Sequence, residues 1–413
     1  MEYGFPHGHL GRLTESEMKQ FDEFKQLLEE RGLYISGPCP SHDDPTLLRY
    51  LRARKWIVND AYQQFKETEE WREANDIDIL YKTIDIEAYD MARRLYPQWT
   101  GRRDRRGIPV YLFEIRHLES KVVNAYQKAA DTTYTKAHWD GKTPKGLLRL
   151  FALYENLTRF SQPLSSQLQD RENRDVPITL STNIVDVSGV SLKMFWNLKG
   201  HMQAASLLAT AHYPETLDRI FVIGAPAFFS TVWGWIKRWF DPVTVSKIFI
   251  LGQHEVYPVL SKFIDPKNIP KKYGGELDFA WGNLPNIDRV TNDKIKWTDG
   301  FQTFPTGPLL WKDMGDGYLY CYAMGSENKM ERSQRVCTIK KMCSSHPMPE
   351  KLTEEANVVS ASEKELVTEP VAATEIEGLR ISDGGSDGQS TKELDEKVAA
   401  EQMSSQAPQT VAA

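Results

Sequence analysis

Cysteine is scarce in this chain: four among 413 residues, at Cys39, Cys321, Cys337 and Cys343, with no CxxC spacing. So few in so long a chain exclude a disulfide framework and fit a reducing compartment. Long apolar runs are missing too; none reaches the roughly 18 residues that a bilayer-spanning helix needs. The opening stretch MEYGFPHGHLGRL has no apolar core of the kind a secretory signal carries, so none is expected. The nine histidines are scattered without metal-ligand spacing. No P-loop, HExxH or GxGxxG stands anywhere in the sequence, and no GxSxG sits at a strand-to-helix elbow. A net charge of −6 and the lack of a basic stripe argue against nucleic-acid binding, even where aromatics and basic residues interleave in WGWIKRWF.

What is present is an ordinary globular composition, 40% hydrophobic and 26% charged, in a chain long enough for two or three domains. The charge is uneven. From Glu350 onward fourteen acidic residues face five basic ones, which leaves the rest mildly basic, a balance suited to an anionic surface or ligand. Thr14 and Glu17 form a capping box, followed by Met18, Phe21, Phe24 and Leu28 at helical spacing. Asp44 and Pro45 begin a second helix, and Ala61, Phe65 and Trp71 mark the face of a third. The pattern then changes to strands at 107–115, within 175–190, at 218–226 and at 245–251, with a long helix over 191–213 between two of them. This alternation predicts α/β layering with right-handed crossovers. Short strands are expected at 315–325 and 335–339 within an otherwise irregular stretch. The Ser-, Glu- and Ala-rich sequence from about 346 reads as a disordered acidic tail.

Two features ask for a ligand. Lys247 lies inside the apolar run VSKIFIL, and burying an ammonium without a partner costs several kcal/mol. Thr244, three residues earlier, can aim with it at one oxyanion. Arg52, Arg54 and Lys55 of LRARK add cations, though alone they read as a solvated basic face. The second feature is a helix over 227–240 that is apolar nearly all round: Phe228, Phe229, Val232, Trp233, Trp235, Ile236, Trp239 and Phe240. It packs in a core, or it serves as a lid that opens where another apolar phase replaces its contacts. Asp186, His201 and His212 read as structural polar positions rather than catalytic ones.

Taken together, LLRYLRARKW, GIPVY, NIVDVSGVSL, HYPETLDRIFVIGAP, DPVTVSKIFIL and IPKKYGG resemble the CRAL-TRIO lipid-binding family, in its fungal phosphatidylinositol/phosphatidylcholine transfer branch. The resemblance runs from about residue 10 to 278. It implies a helical N-terminal lobe (1–95) and an α/β lipid-binding domain (96–278) with a mainly parallel sheet, an apolar pocket and a gate helix. An extension (279–345) and the tail (346–413) follow. It places the phosphatidylinositol headgroup on Arg54, Thr244, Lys247 and Glu215, assisted by Lys55 and Asp241, so that Lys247 would meet the lipid phosphodiester. It matches the gate to Phe228, Phe229, Val232, Trp233, Ile236, Trp239 and Phe240.

A second headgroup site falls on Tyr111, Tyr154, Ser181 and Asn183. Tyrosine faces suit a choline ammonium, but Asn183 stands where the family has threonine, and the connection 161–177 is longer than the family's. The second ligand is therefore phosphatidylcholine, another phospholipid or a sterol-like molecule. The resemblance implies a non-enzymatic, monomeric lipid transfer protein that needs no cofactor or metal beyond its bound phospholipid. It would be cytoplasmic and only transiently at a membrane surface, with Golgi or endosomal membranes as candidates. The alternative is a sensor that presents phosphatidylinositol to a lipid kinase or scaffolds trafficking partners.

Overall fold

The computed structural model describes residues 4–239 and 242–342, without the side chains of Ser230, Thr231, Ile236, Trp239, Val243 and Thr244. All of them belong to one compact unit, Met1–Thr353. The expected acidic tail, Cys343, Phe240 and Asp241 lie outside the described residues.

Five helices come first: α1 (Glu15–Glu30), α2 (Asp44–Ala53), α3 (Val58–Ala74), α4 (Ile77–Thr83) and α5 (Ile86–Arg93). The Thr14/Glu17 capping box is formed in full, and Phe21, Phe24 and Leu28 are buried. Helix α2 starts one residue earlier than the sequence suggested. Asp43, not Asp44, is the cap, its carboxylate accepting from the Thr46 amide. Phe24, Leu47, Leu48, Leu51, Ala61 and Phe65 are fully buried where α1, α2 and α3 meet.

Strands β1 (Gln98–Arg103) and β2 (Pro109–Glu114) open a five-stranded sheet. Helices α6 (Ser120–Ala130), α7 (Lys145–Asn156), a π-helical turn (Leu157–Ser161) and α8 (Gln162–Ser166) precede β3 (Ser181–Asp186). Helix α9 (Leu192–His212) leads to β4 (Leu217–Ile223). Helices α10 (Phe229–Ile236) and α11 (Pro242–Ser246) lead to β5 (Ile248–Leu251). The sheet order is β1-β2-β3-β4-β5. β1 runs antiparallel to β2 and the other pairs are parallel, so the sheet is mainly parallel as expected. The sequence did not announce β1: QWTGRR is polar, contains Gly101 and carries a register shift between Trp99 and Arg103.

Residues of opposite parity face opposite layers. On one side Val110, Leu112, Ile184, Phe221, Ile223 and Leu251 pack under α12 (Val256–Phe263) and the segment from Ile269 to Phe279. Within that segment an added Cβ on Gly275 would strike the Ile269 carbonyl, so the GG of IPKKYGG is a close backbone approach. On the other side Val185, Val222, Ile220 and Ile248 face α6, α7, α9 and α10.

Beyond them lie α13 (Arg289–Lys294), β6 (Ile295–Trp297), β7 (Leu309–Asp313), β8 (Tyr318–Ala323), a short β9 (Ser326–Glu327) and β10 (Met330–Glu331) pair, and β11 (Gln334–Lys340). The stretch expected to be irregular is thus a four-stranded sheet, β6-β11-β8-β7. Cys321 and Cys337 sit opposite each other on β8 and β11 as buried free thiols. Trp311, Leu319, Val336 and Ile339 pack with Trp99 and Phe160, and the Trp311 indole donates to the Phe160 carbonyl at 3.1 Å. This second sheet therefore packs beside β1 of the first.

Candidate functional site

The site is assembled where three chain segments end. Helix α2 stops in LRARK with two consecutive non-glycine residues on left-handed backbone, Lys55 (φ 52) and Trp56 (φ 65). Such residues cost of order 1–3 kcal/mol each and persist only where the surroundings over-determine them. Here Trp56 N donates to Leu51 O and Ile57 N to Arg54 O. Glu215, just past α9, is a third left-handed residue (φ 54). Lys247 sits in the turn before β5, not inside the strand as the apolar run suggested. Its carbonyl accepts from the Ile220 amide, which fixes its backbone to β4.

The question raised by Lys247 has a local answer. Its Nζ lies 3.3 Å from Glu215 Oε2 and 3.1 Å from the Leu217 carbonyl. The neighbouring cation is Arg52. It is part of no solvated face: its Nη1 donates to Gly8 O at 3.2 Å and its Nη2 to Thr179 Oγ1 at 3.4 Å, while its Nε is buried without a partner. Burial lowers its pKa to about 10, against the raising effect of Glu215. Arg54 turns elsewhere, to Gln64 Oε1 at 2.8 Å. Gln64 in turn donates to the carbonyls of Thr210 and Ala211 at the end of α9. Lys55 is exposed beside it. Asp241 lies outside the described residues, and so does the Thr244 side chain.

The N-terminal segment contributes a residue that the sequence reading missed. His9 is 4% exposed, with Nδ1 3.0 Å from the His7 carbonyl and Nε2 buried without a partner. Burial first, then the charges of Arg52 and Lys247, hold its pKa well below the ordinary histidine value. Phe5 anchors the segment among Ile108, Val176, Ile178 and Leu180. The segment's only sequence signal was PHGHLG, whose Gly8 takes φ +69 against Arg52 and Trp56.

Inward from this cluster the sheet face is apolar and incompletely covered: Val185, Ile220 and Ile248 are half-buried, as are Met202, Ala205 and Leu208 of α9. Gate residues Phe229 and Val232 are buried. Trp233 stacks on Phe229 with centroids 6.5 Å apart. Phe228, Phe229 and Val232 line an apolar cavity of about 40 Å³ with Val187, Leu198 and Met202. The Ile236 and Trp239 side chains and Phe240 lie outside the described residues. Trp235 meets Trp196 of α9 at 5.1 Å, and Trp196, Leu192 and Leu207 are exposed.

The second set of residues is brought together on the same face. Tyr111 and Asn183 are register partners on β2 and β3. The Asn183 amide donates to Ser181 Oγ at 3.0 Å, and Ser181 Oγ donates to the Thr216 carbonyl at 3.0 Å. The Tyr111 hydroxyl meets Ser161 Oγ at 2.7 Å. Tyr154 stands beside Tyr213, ring centroids 5.0 Å apart, its phenol pushed up to about 12 by desolvation. These are small polar nodes in an apolar setting.

The residues weighed as catalytic are structural. Asp186 and Glu114 are buried and clasped by Lys272, at 2.7 and 2.8 Å, and Asp186 accepts from the Tyr273 hydroxyl at 2.9 Å. This joins β2 and β3 to IPKKYGG. His201 meets the Tyr96 hydroxyl at 2.5 Å, and His212 stacks on Trp71, centroids 4.2 Å apart.

Comparisons with known proteins agree with this architecture. Residues 93–275 match the CRAL/TRIO domain and residues 20–67 the CRAL/TRIO N-terminal domain. The chain is 32% identical over 273 residues to the SEC14 cytosolic factor of Eremothecium gossypii, covering 66% of this chain and 80% of that protein. It is 32% identical over 310 residues to the CRAL-TRIO domain-containing protein YKL091C of Saccharomyces cerevisiae, covering 73% and 90%. Against the phosphatidylinositol/phosphatidylcholine transfer protein SFH7 of Arabidopsis thaliana it is 31% identical over 262 residues, covering 63% and 44%. An N-terminal helical lobe, a mainly parallel sheet with one apolar unsealed face and these matches place the chain in the CRAL-TRIO family, among its Sec14-like members.

Proposed function

We propose that the chain carries phosphatidylinositol between membranes, one molecule at a time, without a covalent step. The observation that carries this reading is the Arg52–Glu215–Lys247 cluster beside the half-buried apolar face of the sheet. Acyl chains would lie on Val185, Ile220 and Ile248. On loading, the phosphodiester takes Lys247, and Glu215 turns to accept from inositol hydroxyls, so both half-buried charges keep a partner. Arg54, Lys55, Asp241 and Thr244 complete the headgroup site in this proposal.

The polar nodes at Tyr111, Tyr154, Ser181 and Asn183 would receive a second phospholipid headgroup. The exposed Trp196, Leu192 and Leu207, near exposed Lys193, Lys237 and Arg238, suit transient contact with an anionic membrane, where α10 would open. Among the described residues no helix is long and apolar enough to cross a membrane. The cytoplasm is the compartment we assign, with a helical lobe over 1–95, a lipid domain over 96–278 and an extension over 279–345.

The test is transfer of labelled phosphatidylinositol between vesicles. Lys247→Ala with Arg54→Ala should abolish it while the fold survives, since each lost charge-assisted contact costs about 1.5–3 kcal/mol. Transfer at the normal rate by the double variant would refute the site.

A further inference from the structure

A second cavity is separate from the apolar hollow. It has about 230 Å³ and lies between the N-terminal helices, the end of α7 with the π-helical turn, the end of α9 and β7. None of Tyr111, Tyr154, Ser181, Asn183, Glu215 or Lys247 lines it. Its walls are charged. Arg72 reaches Glu155 at 2.7 Å and Asp78 at 2.8 Å. Arg159 reaches Glu155 at 2.6 Å and also pairs with Asp78. The two arginines and two carboxylates satisfy one another, with the Tyr213 hydroxyl donating to Glu155 at 2.5 Å. His42 holds Glu69 at 3.3 Å, and Asp43 caps α2.

The cations left over are Arg49, Lys82 and Lys312. Lys82 has its pKa lowered by burial, against the raising effect of Asp78 and with the charges of Arg159 and Lys312 adding to the lowering. Arg49 is the anomaly. It is 5% exposed, it lines the cavity, and it makes no hydrogen bond or ion pair among the described residues. Its guanidinium has only the Tyr50 ring, 5.9 Å away. Its Nε is buried without an acceptor, and a guanidinium left so is disfavoured unless something supplies one. Setting the two histidines aside, five cations and four carboxylates line the space, which leaves one positive charge. The π-helical turn that carries Thr158 and Arg159 into the wall is a second signal, because such turns are frequent at functional sites.

We propose that this cavity is a second ligand site, separate from the lipid hollow, which takes a small phosphate-bearing anion on the fork of Arg49 with Lys312 and Lys82 as further donors. A guanidinium fork matches two phosphate oxygens. The volume admits a phosphate and a short polar substituent but no acyl chain. The inference does not rest on the lipid reading.

The experiment titrates inorganic phosphate and glycerol 3-phosphate into the full chain by calorimetry, with thermal melts alongside. The chain should bind at least one of them saturably, with a raised melting temperature. Arg49→Met should weaken binding at least tenfold and leave vesicle-to-vesicle lipid transfer unchanged. Its ligand-free melt should be no lower than that of the parent, because it removes a cation whose Nε is buried without a partner. Should Arg49→Met fail to melt cooperatively, Lys312→Met carries the test, with binding several-fold weaker. Lys247→Ala should bind both anions as the parent does. Absence of saturable binding, parent-like affinity in the substituted cavity, or loss of binding in Lys247→Ala (phosphate read at the lipid headgroup site) would overturn the proposal.

Discussion

The two faces of the five-stranded sheet are made by the same strands and differ in one respect. Ile184 and Phe221 are 0% exposed on one face, while their neighbours Val185 and Ile220 remain half-buried on the other. These four residues are all aliphatic or aromatic, so hydrophobicity does not separate them. The closed face meets α12 and a chain segment brought in by the Lys272 clasp; the other face meets α6, α7, α9 and α10, which leave Val185, Ile220 and Ile248 half-buried. Burial of one face supplies stability, and incomplete burial of the other leaves apolar surface for a ligand.

That contrast can be broken by substitution. Phe221→Ala opens a cavity among Phe249 and Phe263, whose rings lie 5.3 and 5.4 Å away. It should cost about 3–5 kcal/mol in denaturant unfolding. Ile220→Ala on the other face should cost under about 1.5 kcal/mol, because less area leaves contact, while lowering the amount of lipid extracted with the protein. Equal losses at the two positions would show that the faces are equally packed. Trp233→Asp removes apolar surface from the gate and should weaken vesicle sedimentation several-fold without comparable loss of stability; unchanged binding would remove the membrane-lid role.

The smallest effect is in pH. His212, buried and next to Arg72, is lowered to about 4, and His9 is lowered as well. Unfolding returns each toward the ordinary value of roughly 6.5. The unfolded chain therefore binds more protons between those limits, and stability falls as the pH drops from about 6.5 toward 4. His212→Asn should flatten that slope; an unaltered slope would assign the acid loss elsewhere.

Much of the fold was legible because its signals are local. The capping box at Thr14, the strands around Tyr111, Asn183 and Ile220, and the long helix before Tyr213 all follow from short-range periodicity. Strand β1 was not legible, since its polar QWTGRR is made a strand by its neighbour β2 and by Trp99 packing under the second sheet. The second sheet was only half seen: β8 and β11 alternate, but β7 hides in the Pro- and Gly-rich FPTGPLLWKD. In the candidate site, Lys247 stood out by its place in an apolar run and Glu215 by the family resemblance, but their pairing was not readable. Arg52 was taken for a surface cation because helical position alone does not tell which layer covers it.

The sequence by itself determined most of the helical and strand segments and the charged positions that had to find partners. Tertiary structure decided which partners those were. It brought His9 from the N-terminal segment and Arg52 from α2 to the Glu215–Lys247 pair, and it left Arg49 unpaired in a separate cavity. The physical reason is range. Periodicity and capping act over a few residues along the chain, whereas charge pairing and burial depend on distances through space that only the packed layers set.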